Sequence, residues 1–232
     1  MTDSSQTSPL SVWQRLGSSF AALVEAAAAL FRRRPPEESL AFTVGLIALS
    51  AKMAKADGVV TRDEVAAFGE IFEVGPGREA QVRLVFDLAK ETTLGFDAYA
   101  RDLARLFGDR HETLEDVLDG LFHIAAADVI VHQGELAYVE EVARIFGFDP
   151  RAFASIKARH VRPDARDPYV VLGAHPDMSN AEIRRLWLKL AAEHHPDRLG
   201  AHGVPAEFVK LAEERLAAIN AAYDEVMGRR VA

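Results

Sequence analysis

Four carboxylate residues recur at matching positions in two similar segments of the chain. Asp128 lies 71 residues after Asp57, and Glu135 lies 71 residues after Glu64. Hard divalent cations take oxygen ligands, so these four side chains are candidate ligands of one cation. The spacing does not match the twelve-residue calcium-binding loop, which excludes that particular class of site.

The alternative role for these carboxylates is structural. Thr61-x-x-Glu64 has the spacing of a capping box, in which the glutamate reaches back to a free amide at the start of a helix. Asp57-Gly58 is typical of a turn. In the second copy His132 takes the cap position and is a poor N-cap, so Glu135 lacks this explanation. Capping is the favoured interpretation, and a metal site is the alternative.

A second candidate site is the tetrapeptide His195-Pro196-Asp197-Arg198. It follows a predicted helix that carries Arg184, Arg185 and Lys189 on one face. A basic face attracts an acidic partner surface, and Pro196 fixes the backbone so that His195 and Asp197 can make directed polar contacts. The alternative is a simple helix stop at the proline.

A similar tripeptide, His175-Pro176-Asp177, precedes that helix instead of following it. No basic helix comes before it, and Asp177 lies just ahead of the predicted cap at Ser179. We therefore interpret it as an ordinary loop without a binding role.

Catalysis by this chain is not expected. His194, His195, Asp197 and His202 are candidate metal ligands, but adjacent histidines on a helix point about 100° apart, and neither a His-Glu-x-x-His motif nor its inverse is present. There is no glycine-rich phosphate loop. The chain has no cysteine, which excludes thiol nucleophiles and zinc–thiolate sites.

Composition indicates a globular protein that does not bind nucleic acid in general. Of 232 residues, 49% are hydrophobic, and 27 Lys and Arg face 35 Asp and Glu for a net charge of -8. That is the wrong sign for displacing counterions from a nucleic acid. Apolar residues recur at helical spacing and no long run alternates with period two, so the sequence predicts an all-α fold.

The positions of proline, glycine and charged segments predict that the chain has four parts. Residues 1–36 form an N-terminal tail and amphipathic helix that ends at Pro35-Pro36. Residues 37–158 form a helical bundle with an internal two-fold repeat, 159–166 a linker, and 167–232 a C-terminal helical unit. Docking on the bundle is the favoured role for the first helix, and a peripheral membrane contact through residues 10–34 is the alternative.

The C-terminal unit has the pattern of a helical hairpin. Ser179-x-x-Glu182 is a capping box that begins its second helix. That helix shows one apolar face, formed by Ile183, Leu186, Trp187, Leu190, Ala191 and His194. The apolar face of the third helix contains Phe208, Leu211, Ala212, Leu216, Ile219, Tyr223 and Val226. We predict that His194 and Trp187 pack in the core.

The repeated acidic turns resemble those of the TerB-like tellurite-resistance family, over roughly residues 37–148. The resemblance implies an all-helical domain and maps the family's metal-associated acidic residues onto Asp57, Glu64, Asp128 and Glu135. The second turn departs from the family pattern, since Val129 stands where the first has Gly58.

Residues 167–227 resemble a J-domain, the DnaJ-type module. The resemblance lies in Tyr169 and Leu172, the basic helix, His195-Pro196-Asp197, and the Ala218-Ile-Asn-x-Ala-Tyr223 segment. It implies a DnaK-type ATPase chaperone as partner, bound through His195, Pro196, Asp197, Arg198, Arg184, Arg185 and Lys189. Leu188 falls within the basic face, where the family commonly has a cation, and Trp187 stands where a tyrosine is usual.

The order of the two regions is similar to that of the DjlA-type co-chaperones. The resemblance implies a co-chaperone whose J-domain stimulates the partner chaperone and whose TerB-like region recruits or positions. We expect no cofactor, and because the chain has no cysteine we expect a reducing compartment, the cytoplasm. Two alternatives remain at this point. One is a metal-associated stress-response module with a divalent cation at the repeat, and the other is a membrane-surface adaptor on the inner membrane.

Overall fold

The computed structural model describes residues 37–57, 66–67, 79–91, 95–108, 110–126, 133–160, 167–198 and 208–231. Within these ranges every regular element is helical, and this confirms the all-α prediction. The helices are α1 (Glu37–Asp57), α2 (Glu79–Glu91), α3 (Phe96–Phe107), α4 (His111–Ala125), α5 (Gln133–Ile145), α6 (Pro150–His160), α7 (Pro168–Val171), α8 (Asn180–Glu193) and α9 (Val209–Val231). The predicted N-terminal helix lies outside the described residues.

Helix α1 forms the centre of the bundle made by α1 to α6. Its side chains from Leu40 to Leu49 are buried around the whole circumference, because almost every residue there is apolar. Two buried hydroxyls bond to the backbone of this helix. The Ser50 hydroxyl donates to the Leu46 carbonyl at 2.8 Å, and the Tyr138 hydroxyl of α5 donates to the Leu49 carbonyl at 2.8 Å.

None of the described helices has the length and hydropathy that crossing a membrane requires.

The close approach of α1 and α3 requires a glycine at position 45. A Cβ built on Gly45 would lie 2.5 Å from Cδ2 of the buried Leu103. We expect Gly45→Ala to lower the free energy of unfolding by about 1–3 kcal/mol, because the core must shift to admit the methyl group. Gly134→Ala is the control, since that Cβ meets nothing within 4 Å and a helical alanine is favoured. Urea denaturation measures both, and equal stability of the two variants would contradict the prediction.

The C-terminal unit has a small core of its own. It is built from Val171, Leu172, Ile183, Ile219, Ala222 and Val226, with Ala158 from α6. The Asp167 carboxylate accepts from the Tyr169 N–H at 2.9 Å and begins α7. The predicted capping box at Ser179 and Glu182 is present at the start of α8.

Arg230, near the end of α9, closes this unit. Its guanidinium donates to the Tyr169 hydroxyl at 3.0 Å, to the Met178 carbonyl at 2.7 Å and to Asn180 Oδ1 at 2.9 Å. One side chain thereby fastens α9 to α7 and to the segment that leads into α8.

Helix α6 joins the bundle to the C-terminal unit. The Ser155 hydroxyl donates to the Val171 carbonyl at 2.8 Å, and Arg151 Nη2 donates to the Gly173 carbonyl at 2.7 Å. Arg159 and His160, which the sequence assigns to the linker, are the last residues of this helix. The helix therefore extends two residues into the predicted linker.

The apolar face predicted for the third helix is divided between two cores. Phe208, Leu211 and Ala212 belong to the core of the bundle, whereas Ile219 and Val226 belong to the core of the C-terminal unit. Phe208 packs edge-on against Phe42 of α1, with ring centroids 4.9 Å apart. The first turns of α9 therefore complete the bundle, a role that periodicity alone does not reveal.

Candidate functional site

The outer face of α8 carries the predicted basic surface. Arg184, Arg185 and Lys189 are exposed, while Ile183 on the opposite side is buried. Leu188 lies among these cations with half of its surface exposed. Lys189 Nζ lies 3.7 Å from Glu193 Oε1, a surface pair that leaves the ammonium available to a partner.

The tetrapeptide His195-Pro196-Asp197-Arg198 forms a short turn at the end of α8. The Asp197 N–H donates to His195 Nδ1 at 3.3 Å, and Asp197 Oδ2 lies 3.5 Å from the same nitrogen. The Asp197 carboxylate is nine-tenths exposed. Arg198 Nη1 donates to the Ala192 carbonyl at 3.1 Å, which draws Arg198 back along α8. The turn thus presents an imidazole and a carboxylate to solvent beside the basic face.

The other tripeptide adopts the same local geometry. The Asp177 N–H donates to His175 Nδ1 at 3.3 Å, and Asp177 Oδ2 lies 3.1 Å from that nitrogen. Its surroundings differ, because it precedes α8, and the carbonyl of Pro176 accepts from Arg230 in the closure described above. The local turn therefore does not distinguish the two tripeptides, whereas their positions relative to the basic helix do.

Trp187 links the two long helices of the C-terminal unit. Its indole Nε1 donates to Asn220 Oδ1 at 2.8 Å, and its ring stacks on Tyr223 with centroids 4.4 Å apart. The predicted packing role is thereby accompanied by a hydrogen bond that fixes the register of α8 against α9.

Most of the predicted metal ligands lie outside the described side chains. Asp57 is the last residue of α1 and its side chain is not described, and Glu64 and Asp128 fall in ranges that are not described. Glu135 is buried in the first turn of α5. Among the described residues no group of three or more His, Asp or Glu side chains could hold a metal ion. Metal binding at the repeat stays a prediction, which calorimetric titration with Asp57→Asn and Asp128→Asn would test.

A buried cluster of charges, which the sequence analysis missed, lies where α4 meets the C-terminal unit. Its acids are Glu115, Asp116 and Asp119 of α4, which we call the acidic triplet. Arg215 of α9 is buried against two of them, with Nη1 2.6 Å from Asp116 Oδ1 and 2.5 Å from Asp119 Oδ2. A signal was present in the sequence, because Arg215 stands within the predicted apolar face of α9, where a cation requires a buried acid.

Three further side chains complete the cluster. Arg159 of α6 pairs with Glu115, and His160 Nε2 lies 2.7 Å from Asp119 Oδ1. His194, which directly precedes the exposed turn, has only 2% of its surface exposed, and its Nε2 lies 3.5 Å from Glu115 Oε1. This confirms the predicted burial of His194, although its main polar neighbour belongs to the bundle.

Burial and like charge set the ionisation of the cluster. Burial raises the pKa of Asp116 to about 7, because Arg215 offsets only part of the desolvation and the Asp119 carboxylate adds to the rise. Burial lowers the pKa of His194 to about 4, with Glu115 offsetting part of that effect. Although burial acts to raise the pKa of Asp119, Arg215 and His160 hold it below its ordinary value.

Comparison with known proteins agrees with this architecture. The family model described as Tellurite resistance protein TerB matches residues 43–158, and the model described as DnaJ domain matches residues 167–227. No solved structure matches the chain.

Curated relatives match this chain over most of its length and over most of theirs. A protein of Photobacterium profundum named Co-chaperone protein DjlA is 27% identical, covering 84% of this chain and 80% of the relative. Proteins of the same name from Vibrio cholerae and Coxiella burnetii are 28% and 25% identical. They cover 74% and 75% of this chain, and 72% of each relative. The chain belongs to the TerB family and, with a DnaJ domain following the TerB domain, is a co-chaperone of the DjlA type.

Proposed function

We propose that this chain stimulates ATP hydrolysis by a DnaK-type chaperone in the cytoplasm, with its TerB domain as the recruiting or positioning module. One observation carries the proposal. The exposed turn of His195 and Asp197 lies at the end of a helix whose outer face presents Arg184, Arg185 and Lys189. The relatives' name, Co-chaperone protein DjlA, supports it.

The chain's own part in this function requires no covalent chemistry. The cations of α8 attract an acidic surface of the chaperone and raise the rate of encounter. The imidazole of His195 and the carboxylate of Asp197 then make short directed contacts. If those contacts favour the hydrolysing conformation of the chaperone over its resting one, binding shifts the population toward hydrolysis.

The decisive experiment is single-turnover ATP hydrolysis by the host's DnaK-type chaperone, with and without this protein. We expect His195→Gln to abolish the stimulation, because it removes the imidazole from the exposed turn. His175→Gln is the matched control, since its turn has the same geometry without the basic helix before it. Stimulation that survives His195→Gln, or that is lost equally in both variants, would overturn the proposal.

The basic face is tested separately by salt. Because exposed charges are screened over about 8 Å at physiological ionic strength, we expect added salt to raise the concentration needed for half-maximal stimulation. The same dependence should be weaker in Arg185→Gln. A salt dependence that is identical in the variant would exclude steering by this face.

A further inference from the structure

The end of α8 that carries His195-Pro196-Asp197 lies beyond the fully buried core of the J-domain, although Trp187 and Leu190 of α8 pack against that core as partly buried residues. Ile183, near the start of α8, is the buried residue that α8 contributes to that core. From Leu186 to Glu193 the described side chains of α8 are half-buried or exposed. The next buried side chain is His194, and its polar neighbour is Glu115 of the TerB domain.

The start of α9 is likewise held by the TerB domain. Phe208 packs on Phe42, and its Cζ would lie 3.2 Å from a Cβ built on Gly120 of α4. Seven residues later, Arg215 bonds to Asp116 and Asp119 of the same helix. One turn of α4, the acidic triplet, therefore contacts the end of α8 and the first half of α9 together.

We propose that the acidic triplet of the TerB domain, through Arg215 and His194, positions the His195-Pro196-Asp197 turn for its action on the chaperone. Arg215 and His194 are positioning residues in this proposal, because they are buried and do not reach the partner. The inference rests on the proposed function and adds that the TerB domain takes part in the activity of the J-domain. We call the contacts of Arg215 and His194 with the acidic triplet the buried junction. The inference predicts that weakening the buried junction leaves the basic face of α8 intact and misplaces the turn.

The test measures chaperone ATPase stimulation against the concentration of this protein. The variant is Arg215→Met combined with Asp116→Asn, which removes the contact between these two side chains and leaves Asp119 paired with His160. We expect the maximal stimulation to fall about tenfold, because small misplacements of acting groups are costly. The concentration for half-maximal stimulation should stay unchanged, since the α8 cations still bind.

This pair of quantities separates positioning from loss of folded protein. A partly unfolded variant has fewer active molecules, so it reaches the same maximum at a higher total concentration. That result, or an unchanged curve, would overturn the inference. Arg215→Lys, which keeps the charge, should recover most of the maximum. The matched control is Arg229→Met with Glu225→Gln, an exposed ion pair on the same helix whose loss should leave both quantities unchanged.

A second measurement does not depend on the chaperone. Because the chain has no cysteine, Glu140→Cys on α5 and Ala192→Cys on α8 place two nitroxide labels at exposed positions. We expect one narrow distance distribution in the otherwise unchanged protein and a broad one with the Arg215→Met and Asp116→Asn changes. A distribution that stays narrow would overturn the inference, whereas a protein without any ATPase stimulation would overturn the proposed function.

Discussion

Replacing Arg215 with leucine is expected to lower the free energy of unfolding by about 3–5 kcal/mol, the cost of leaving buried charge without a partner. Its side chain is 5% exposed and contacts Asp116 and Asp119, whose side chains are 3% and 1% exposed. After the change Asp116 loses its contact with the guanidinium, and Asp119 keeps its contact with His160. Urea denaturation followed by circular dichroism measures the difference.

The comparison that isolates burial uses the same helix. Arg229 pairs with Glu225 through an arginine–glutamate contact, but its side chain is 56% exposed. Arg229→Leu should therefore cost less than about 1 kcal/mol. If the two leucine variants lose similar stability, the buried junction contributes nothing beyond an ordinary surface ion pair, and its assignment here is wrong.

The second large effect is a pair of opposite pH dependences. Between about pH 4 and 6.5 the free energy of unfolding of Asp116→Asn should rise with pH, whereas that of His194→Gln should fall. The pKa of His194 is lowered to about 4, so the unfolded chain binds its proton more readily, and stability increases as that proton is lost. The pKa of Asp116 is raised to about 7, so between about pH 4 and 7 the folded chain keeps a proton on this carboxyl that the unfolded chain has lost. Stability therefore decreases as pH rises toward 7.

Each group acts with a slope of up to about 1.4 kcal/mol per pH unit, the value for one proton. In the unchanged protein the two slopes oppose each other. Asp116→Asn leaves the slope that comes from His194, and His194→Gln leaves the slope that comes from Asp116. Urea denaturation at pH 4, 5, 6 and 7 gives both curves. Parallel curves for the two variants would contradict the prediction.

Below about pH 4 all forms should lose stability as pH falls, because the pKa values of Glu115 and Asp119 are lowered in the folded chain and the unfolded chain therefore takes up protons first.

Local features were predictable because they depend on neighbours in sequence. The capping box at Ser179 requires only a serine and a glutamate three residues apart, and it is present. The buried α1 follows from a run that is apolar on every side. The burial of His194 follows from its place on the apolar face of α8.

The partners of those residues were not predictable. Periodicity indicates that Leu211 and Ile219 face inward, but one packs in the TerB core and the other in the core of the J-domain. The presence of Arg215 in the same apolar face indicates that it has a buried acidic partner, but the sequence does not identify that partner. The sequence contains 35 acidic residues, and only the fold places Asp116 and Asp119 against that guanidinium.

By itself, the sequence determined the all-helical class, the order of the two domains and the basic face of α8. Those properties depend on the spacing of residues and on interactions between neighbours within one or two turns of a helix. Only the tertiary structure decided that α9 contributes to the cores of both domains and that α4 contacts both His194 and Arg215. The physical reason is that Glu115 is 79 residues from His194 and Asp119 is 96 from Arg215, so that folding alone brings these charges into contact.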